Sequence, residues 1–151
     1  MSQLPVCSSS QWSEEDIVKY LQEQRTPMRL CCNDQEGYPL VCSLWFAYHD
    51  GYLWCATHES AAVAKLLEAN PKCAFEIAVN EIPYFGVRGK GTAELLRADA
   101  ENVLNELIDR YLGEKHSNLA SWLLSRTDHE YAIRIKPHAI TAWDFSNRMS
   151  D

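Results

Sequence analysis

The stretch Met28 to Asn70, MRLCCNDQEGYPLVCSLWFAYHDGYLWCATHESAAVAKLLEAN, decides the fold. Three β-prone runs, about Met28–Asn33, Leu40–Tyr48 and Tyr52–Thr57, are divided by two turns. Asp34-Gln35-Glu36-Gly37 makes the first turn, and His49-Asp50-Gly51 has the composition of a tight hairpin. The third run feeds a helix over about Glu59–Ala69 that stops at Asn70-Pro71. That order builds an antiparallel meander with a helix N-terminus at its end, where amide donors and a positive dipole end favour an anion. In the second run Leu40, Cys42, Leu44, Phe46 and Tyr48 share one face and Val41, Ser43, Trp45 and Ala47 the other. Both faces are largely apolar, so the strand is expected to be covered on both sides.

Upstream, residues 1–11 read as a flexible leader. Ser13 before Glu14, Glu15 and Asp16 starts a helix with Ile17, Tyr20, Leu21 and Gln24 on one stripe. Downstream, strands are predicted over about Lys72–Val79 and Phe85–Leu96. Gly86, Gly89 and Gly91 in the latter signal a bend or a close neighbour. A helix opening at Asp99 turns Val103, Leu107, Ile108 and Tyr111 inward and ends at Gly113, and a short helix follows over Leu119–Leu124. Two last strands, Tyr131–Ile135 and Ala139–Phe145, are separated by Pro137. The pattern is mainly β with helical insertions, a small barrel forming a single domain over residues 12–148.

The chain has 151 residues and a formal charge of −7, so a nucleic-acid surface, which needs clustered Lys and Arg, is not expected. No run approaches the roughly 20 apolar residues of a membrane span, and the N-terminus lacks a secretory pattern. A soluble cytoplasmic protein is expected. The six cysteines form no Cys-x-x-Cys pair, and they read as small buried hydrophobes rather than as metal ligands.

Several pieces in order resemble the pyridoxamine 5′-phosphate oxidase-like, FMN-binding split-barrel family. They are a helix leading into Arg29-Leu30, the Glu36-Gly37-Tyr38-Pro39 turn, Ser43-Leu44-Trp45-Phe46-Ala47-Tyr48, the Asn70-Pro71 helix stop, Tyr84 to Gly91, and the closing Ala142-Trp143-Asp144-Phe145. The resemblance spans about Glu14 to Phe145. It implies a six-stranded split barrel, a homodimer, and flavin mononucleotide in a groove at the dimer interface. Carried onto this chain, it sets Ser43, Leu44 and Trp45 along the flavin ring and Thr57, His58, Ser60 and Lys65 near its phosphate. Arg88 and Trp143 would reach over from the partner. One departure stands out. Family members commonly carry Lys or Arg early in the helix after the third strand, whereas here Ser60-Ala61-Ala62-Val63-Ala64 precede Lys65. A lost charge-assisted contact costs about 1.5–3 kcal/mol.

The residues themselves allow two readings at most of these positions. Thr57, with the amides of Glu59 to Ala61, could bind phosphate, or Thr57 or Ser60 could simply cap the helix. His58 could donate to a phosphate or be a surface histidine. Arg88 could grip an anion or form a cross-strand ion pair. Trp54 reads as core, His49 as exposed and inert, and His116, His129 and His138 as uninvolved in catalysis. No side chain stands out as catalytic. The resemblance implies an FMN-dependent oxidoreductase with a small-molecule substrate and a donor such as NADH or NADPH. The alternative is a non-catalytic module holding haem, a deazaflavin or another planar ligand.

Overall fold

A computed structural model describes residues 3–113 and 117–149, so His116 lies outside the described residues. In chain order the elements are α1 (Glu14–Glu23), β1 (Met28–Asn33), β2 (Pro39–Leu44), β3 (Ala47–His49), β4 (Tyr52–His58) and α2 (Ala62–Ala69). After these come β5 (Lys72–Ala78), β6 (Phe85–Leu96), α3 (Ala100–Tyr111), α4 (Ser117–Leu124) and β7 (Glu130–Asp144). The strands form one seven-stranded antiparallel sheet in the order β2-β1-β5-β6-β7-β4-β3.

That order forces closure. β2 and β3 are the two edges of the sheet, yet only Trp45 and Phe46 separate them in sequence. Laid flat, seven strands would put the edges about 29 Å apart. The link from Leu44 to Ala47 reaches at most about 11 Å. The sheet is therefore curled until its edges meet, as in a split barrel. The resemblance implies six strands and the sheet has seven; the run Leu40–Tyr48 breaks at this corner into β2 and β3. Its alternation continues through the break: Phe46 and Tyr48 are buried inside, and Ala47 is buried outside.

The barrel interior is filled by Met28, Leu30, Phe46, Leu53, Ile77, Val87, Ile133, Ile135 and Ile140, all fully buried. Ile17 and Leu21 of α1 and Val63 and Leu67 of α2 join that core. Ser13 caps α1 by accepting the Asp16 amide at 3.2 Å. At the other end of α1, Arg110 of α3 donates to the carbonyls of Gln22 (2.8 Å), Leu21 (3.1 Å) and Gln24. Asp50 (φ 51°) and Gly51 (φ 88°) make the predicted hairpin turn, both central residues being left-handed as a primed turn requires.

Two other expectations change. The pair of strands expected around Pro137 is one strand, Glu130–Asp144. Pro137 is tolerated because the β4 rungs end at Leu53–Ile135 and a bulge opens at Lys90/Gly91. Gly91 is needed there, since a Cβ would stand 2.3 Å from the Lys136 carbonyl oxygen. The expected flexible leader is tied down where it is described. The Cys7 amide donates to the Ile140 carbonyl (2.8 Å), the Ile140 amide to the Pro5 carbonyl (3.0 Å) and the Gln11 amide to the Ala142 carbonyl (3.0 Å). The second half of β7 has no strand beyond it on that side, and the leader satisfies its backbone.

The outer side of the sheet is divided. Ala47, Trp54, Ala56, Leu96 and Ala132 lie beneath Val103 and Leu107 of α3, so Trp54 is core as predicted. Across β2, β1, β5, β6 and the end of β7 no helix among the described residues covers the outer face. There Val41 is 60% exposed and an apolar groove of about 610 Å³ runs past Cys31, Ala74, Lys90 and Ala139, with Cys7 of the leader at its border. Among the described residues none covers the outer side of β2. Cys32, Cys55 and Cys73 are buried and every cysteine is unbridged. Burial pushes the Cys42 thiol up to about 11 and Cys73 to about 12, which suits apolar filling and not nucleophilic work.

Candidate functional site

The edge strands meet only in part. β3 pairs with β4 through Ala47–Trp54, Tyr48–Leu53 and His49–Tyr52. A continuing ladder would set Trp45 opposite Ala56 and Ser43 opposite His58, but pairing stops at Ala47–Trp54. Beyond it β2 pairs with β1 and β4 with β7, so the edges of β2 and β4 that face each other have no strand partner. This split gathers five of the predicted site residues on its two lips: Ser43, Leu44 and Trp45 on one, Thr57 and His58 on the other.

Alternation decides what each presents. Ser43 points outward and is exposed, while Leu44 is half-buried against the core. Trp45 stacks on Tyr111 of α3 with ring centroids 5.1 Å apart and planes 7° from parallel. The Tyr111 hydroxyl accepts the Phe46 amide at 3.3 Å, satisfying one donor freed at the corner. Thr57 shares the inward face with Leu53 and Cys55 and is buried, so its hydroxyl belongs to the barrel interior. His58 points outward beside its cross-strand partner Glu130.

The junction after β4 corrects the phosphate site read from the sequence. The Glu59 amide donates to the His129 carbonyl (2.7 Å) and the Ala61 amide to the His58 carbonyl (3.0 Å). The Ser60 amide donates to Nδ1 of His58 at 3.1 Å. All three proposed phosphate donors are thus spent. α2 begins at Ala62, with Ala61 at the N-cap and no side-chain capping bond, so neither Thr57 nor Ser60 caps it. The first-turn amides of Ala62 and Val63 are the helix's own unspent donors. His58 is also constrained: its Nδ1 accepts the Ser60 amide and lies 2.7 Å from the Ser60 hydroxyl, leaving Nε2 to carry the proton. Lys65 lies apart, lining a recess of about 410 Å³ with Asp34, Leu40 and Ala62.

Arg97 and Glu130, which sequence reasoning passed over, complete the junction with Glu59 and His129. Glu59 is held by Arg97 and by Nδ1 of His129 (2.9 Å). Arg97 in turn donates to the Asp128 carbonyl at 3.0 Å, and its guanidinium sits 4.3 Å above the Tyr131 ring. These two donors hold the Glu59 carboxyl below its ordinary range, Arg97 contributing most. Glu130 is 5% exposed, and burial pushes its carboxyl up against the opposing influence of Arg126 and His58. The β4–β7 and β6–β7 registers, with His58 opposite Glu130 and Leu96 opposite Ala132, bring these distant positions together.

Arg88 and Trp143 lie together elsewhere, on the bare outer face, with the guanidinium 5.8 Å from the indole ring. β1 and β5 stand between their strands and β2. Rungs align Ser43, Arg29, Glu76, Arg88 and Thr141 in one row. Glu76 thus has an arginine on either side, yet among the described residues it makes no ion pair. His49, expected to be inert, pairs with Glu106, and His138 meets Thr92 at 2.6 Å. No group of His, Cys, Asp and Glu among the described residues could hold a metal ion. No helix of the described residues is long and apolar enough to cross a membrane.

For a flavin the fit is uneven. The split's lips suit a flat ring with a polar edge, since unpaired strand edges offer donors and acceptors and Trp45 is fixed by Tyr111. A phosphate must use donors other than Glu59 to Ala61. Arg97 is the cationic group at hand, with the His129 ring beside it as a further hydrogen-bond donor.

Solved structures repeat this fold. A conserved hypothetical protein from Mycobacterium tuberculosis superposes with a TM-score of 0.80 at 21% identity, over 96% of this chain and 92% of that one. An F420 reductase gives 0.66 at 22% identity (82% and 94%), and the heme storage protein HutZ from Vibrio cholerae gives 0.67 at 19% (86% and 93%). The chain matches no curated protein at a significant level. The family model described as pyridoxamine 5′-phosphate oxidase matches residues 13–144, nearly the whole domain, and the chain belongs to that family.

Proposed function

We propose that this chain takes flavin mononucleotide along the split between β2 and β4 and works as a homodimeric, FMN-dependent oxidoreductase on a small molecule. The observation that carries the reading is the halted ladder. Pairing ends at Ala47–Trp54, and the unpaired edges of Ser43–Trp45 and Ala56–His58 are left facing one another. Backbone groups on those edges would meet the polar rim of the ring, and Trp45, backed by Tyr111, would form a rigid wall. Nε2 of His58 would present a proton donor whose direction Ser60 fixes. Bound flavin supplies hydride or electron transfer, with NADH or NADPH the proposed donor. The bare outer face supports a second copy as partner. Its apolar groove needs cover, and a carboxylate between two arginines is self-complementary across a two-fold axis.

A second reading is favoured by the spent amides of Glu59, Ser60 and Ala61. A planar ligand that sets no phosphate at that point, as haem does not and a deazaflavin would not if its phosphate lay elsewhere, would not miss them. The heme storage and F420 proteins of this fold are precedents for such ligands. The absorption spectrum of the purified protein separates the two, flavin bands near roughly 370 and 450 nm against a Soret band. A colourless protein that also leaves added flavin mononucleotide fluorescence unchanged would sink the first reading. Bleaching of bound flavin by NADH or NADPH would distinguish an enzyme from a carrier.

A further inference from the structure

We infer that Glu59 is an internal stand-in for a ligand's phosphate, its carboxylate filling an anion site built by Arg97 and His129. The inference rests on the proposed cofactor reading only for its choice of physiological ligand. The site takes a phosphomonoester once Glu59 swings out.

The two carboxylate oxygens are gripped from different parts of the chain. Oε2 meets Nη2 of Arg97, which follows β6, and Oε1 meets Nδ1 of His129, in the turn before β7. The His129 side chain is 64% exposed, whereas Arg97, 47% exposed, has a fixed position. The Asp128 carbonyl and the Tyr131 ring both hold Arg97 in place. An arginine fixed in this way presents its fork ready-made, the geometry suited to carboxylate and phosphate oxygens alike.

The occupant, by contrast, is free to leave. The Glu59 backbone is anchored by its amide on the His129 carbonyl, but its side chain is 34% exposed. A change of side-chain rotamer withdraws the carboxylate while the backbone stays where it is. The site also adjoins the split, since the His129 ring is 6.0 Å from that of His58 on its lip. A ligand lying in the split would thus bring its phosphate to Arg97 and His129. The competing view is that the Glu59–Arg97 pair only fastens two loops together.

Titration of the full chain with inorganic phosphate, followed by two-dimensional NMR, separates the views. In Glu59→Gln the competitor and a like charge both disappear, so phosphate should bind roughly tenfold more tightly than in wild type. Adding Arg97→Gln should abolish that gain. Equal phosphate affinity in wild type and Glu59→Gln, or a gain that survives Arg97→Gln, overturns the inference. Should Glu59→Gln fail to fold, wild type still decides. Saturating phosphate must shift the Arg97 Nε–H and His129 ring resonances together, and their immobility overturns the inference. Flavin mononucleotide titrated into the same variants keeps the two proposals apart. If no variant binds flavin while phosphate behaves as stated, the cofactor reading falls and the anion site stands. Equal, measurable flavin affinity in wild type and Glu59→Gln overturns the flavin phosphate as the occupant of the anion site and leaves the cofactor reading intact.

Discussion

The two halves of the barrel's outer surface obey the same alternation and end differently. Over β3, β4 and the start of β7, the outward Ala47, Trp54, Ala56 and Ala132 are sealed by Val103 and Leu107 of α3. Over β2, β1, β5 and β6, the outward Val41, Cys31 and Ala74 form a groove that no helix among the described residues covers. Apolar spacing states that a face wants cover and is silent on who provides it. The split lies where the two halves meet, so a ligand there would touch a wall fixed by α3 and the border of the bare face.

Two substitutions separate the halves, and the larger effect belongs to the sealed one. Leu107, 2% exposed on the inner face of α3, loses most of its side chain in Leu107→Ala. A cost of about 2–5 kcal/mol is expected from burial lost and cavity left, read from the denaturant midpoint. Val41→Asp, on the bare half, should change the stability of the isolated chain by less than about 0.5 kcal/mol. The same change should shift the protein from dimer to monomer in sedimentation at micromolar concentration. A Val41→Asp variant that sediments as wild type would mean the bare face is not where two copies meet.

Much of the scaffold was legible because local rules met no opposition. Phe85–Leu96 has the predicted boundaries, Ser13 caps the predicted helix, and Asp50-Gly51 turns the predicted hairpin. The corner at Trp45-Phe46 was not legible, since inside and outside continue to alternate straight through it and only the pairing partners change. Pro137 misled for the opposite reason: it is a strand breaker set beside a bulge, past the last β4 rung, where it breaks nothing. Of the site, the resemblance supplied both lips of the split. The network of Glu59, Arg97 and His129 was hidden because its members lie 38 and 70 positions apart, and only the folded sheet makes them neighbours. The amides of Glu59 to Ala61 looked free because a sequence does not show that His129 and His58 have already claimed them.

The smallest effect concerns the acid on the sealed side. Glu130 lies on the face of Ala132, opposite His58, and burial is the main reason its carboxyl titrates above the ordinary 4.5. The folded chain therefore holds this proton more tightly than the unfolded chain does. Its contribution to stability is complete below pH 4.5 and declines as pH rises from there through the raised folded value, after which it is gone. Gln resembles the protonated acid and cannot ionise. Glu130→Gln should thus match wild type near pH 4 and exceed it by a modest margin at pH 7, as compared by urea midpoints at both pH values. The comparison within each pH cancels every other titrating group that the variant leaves unchanged. A constant difference between the two proteins from pH 4 to 7 would show that Glu130 is as well solvated as an acid on the bare face, and that the seal by α3 ends short of His58.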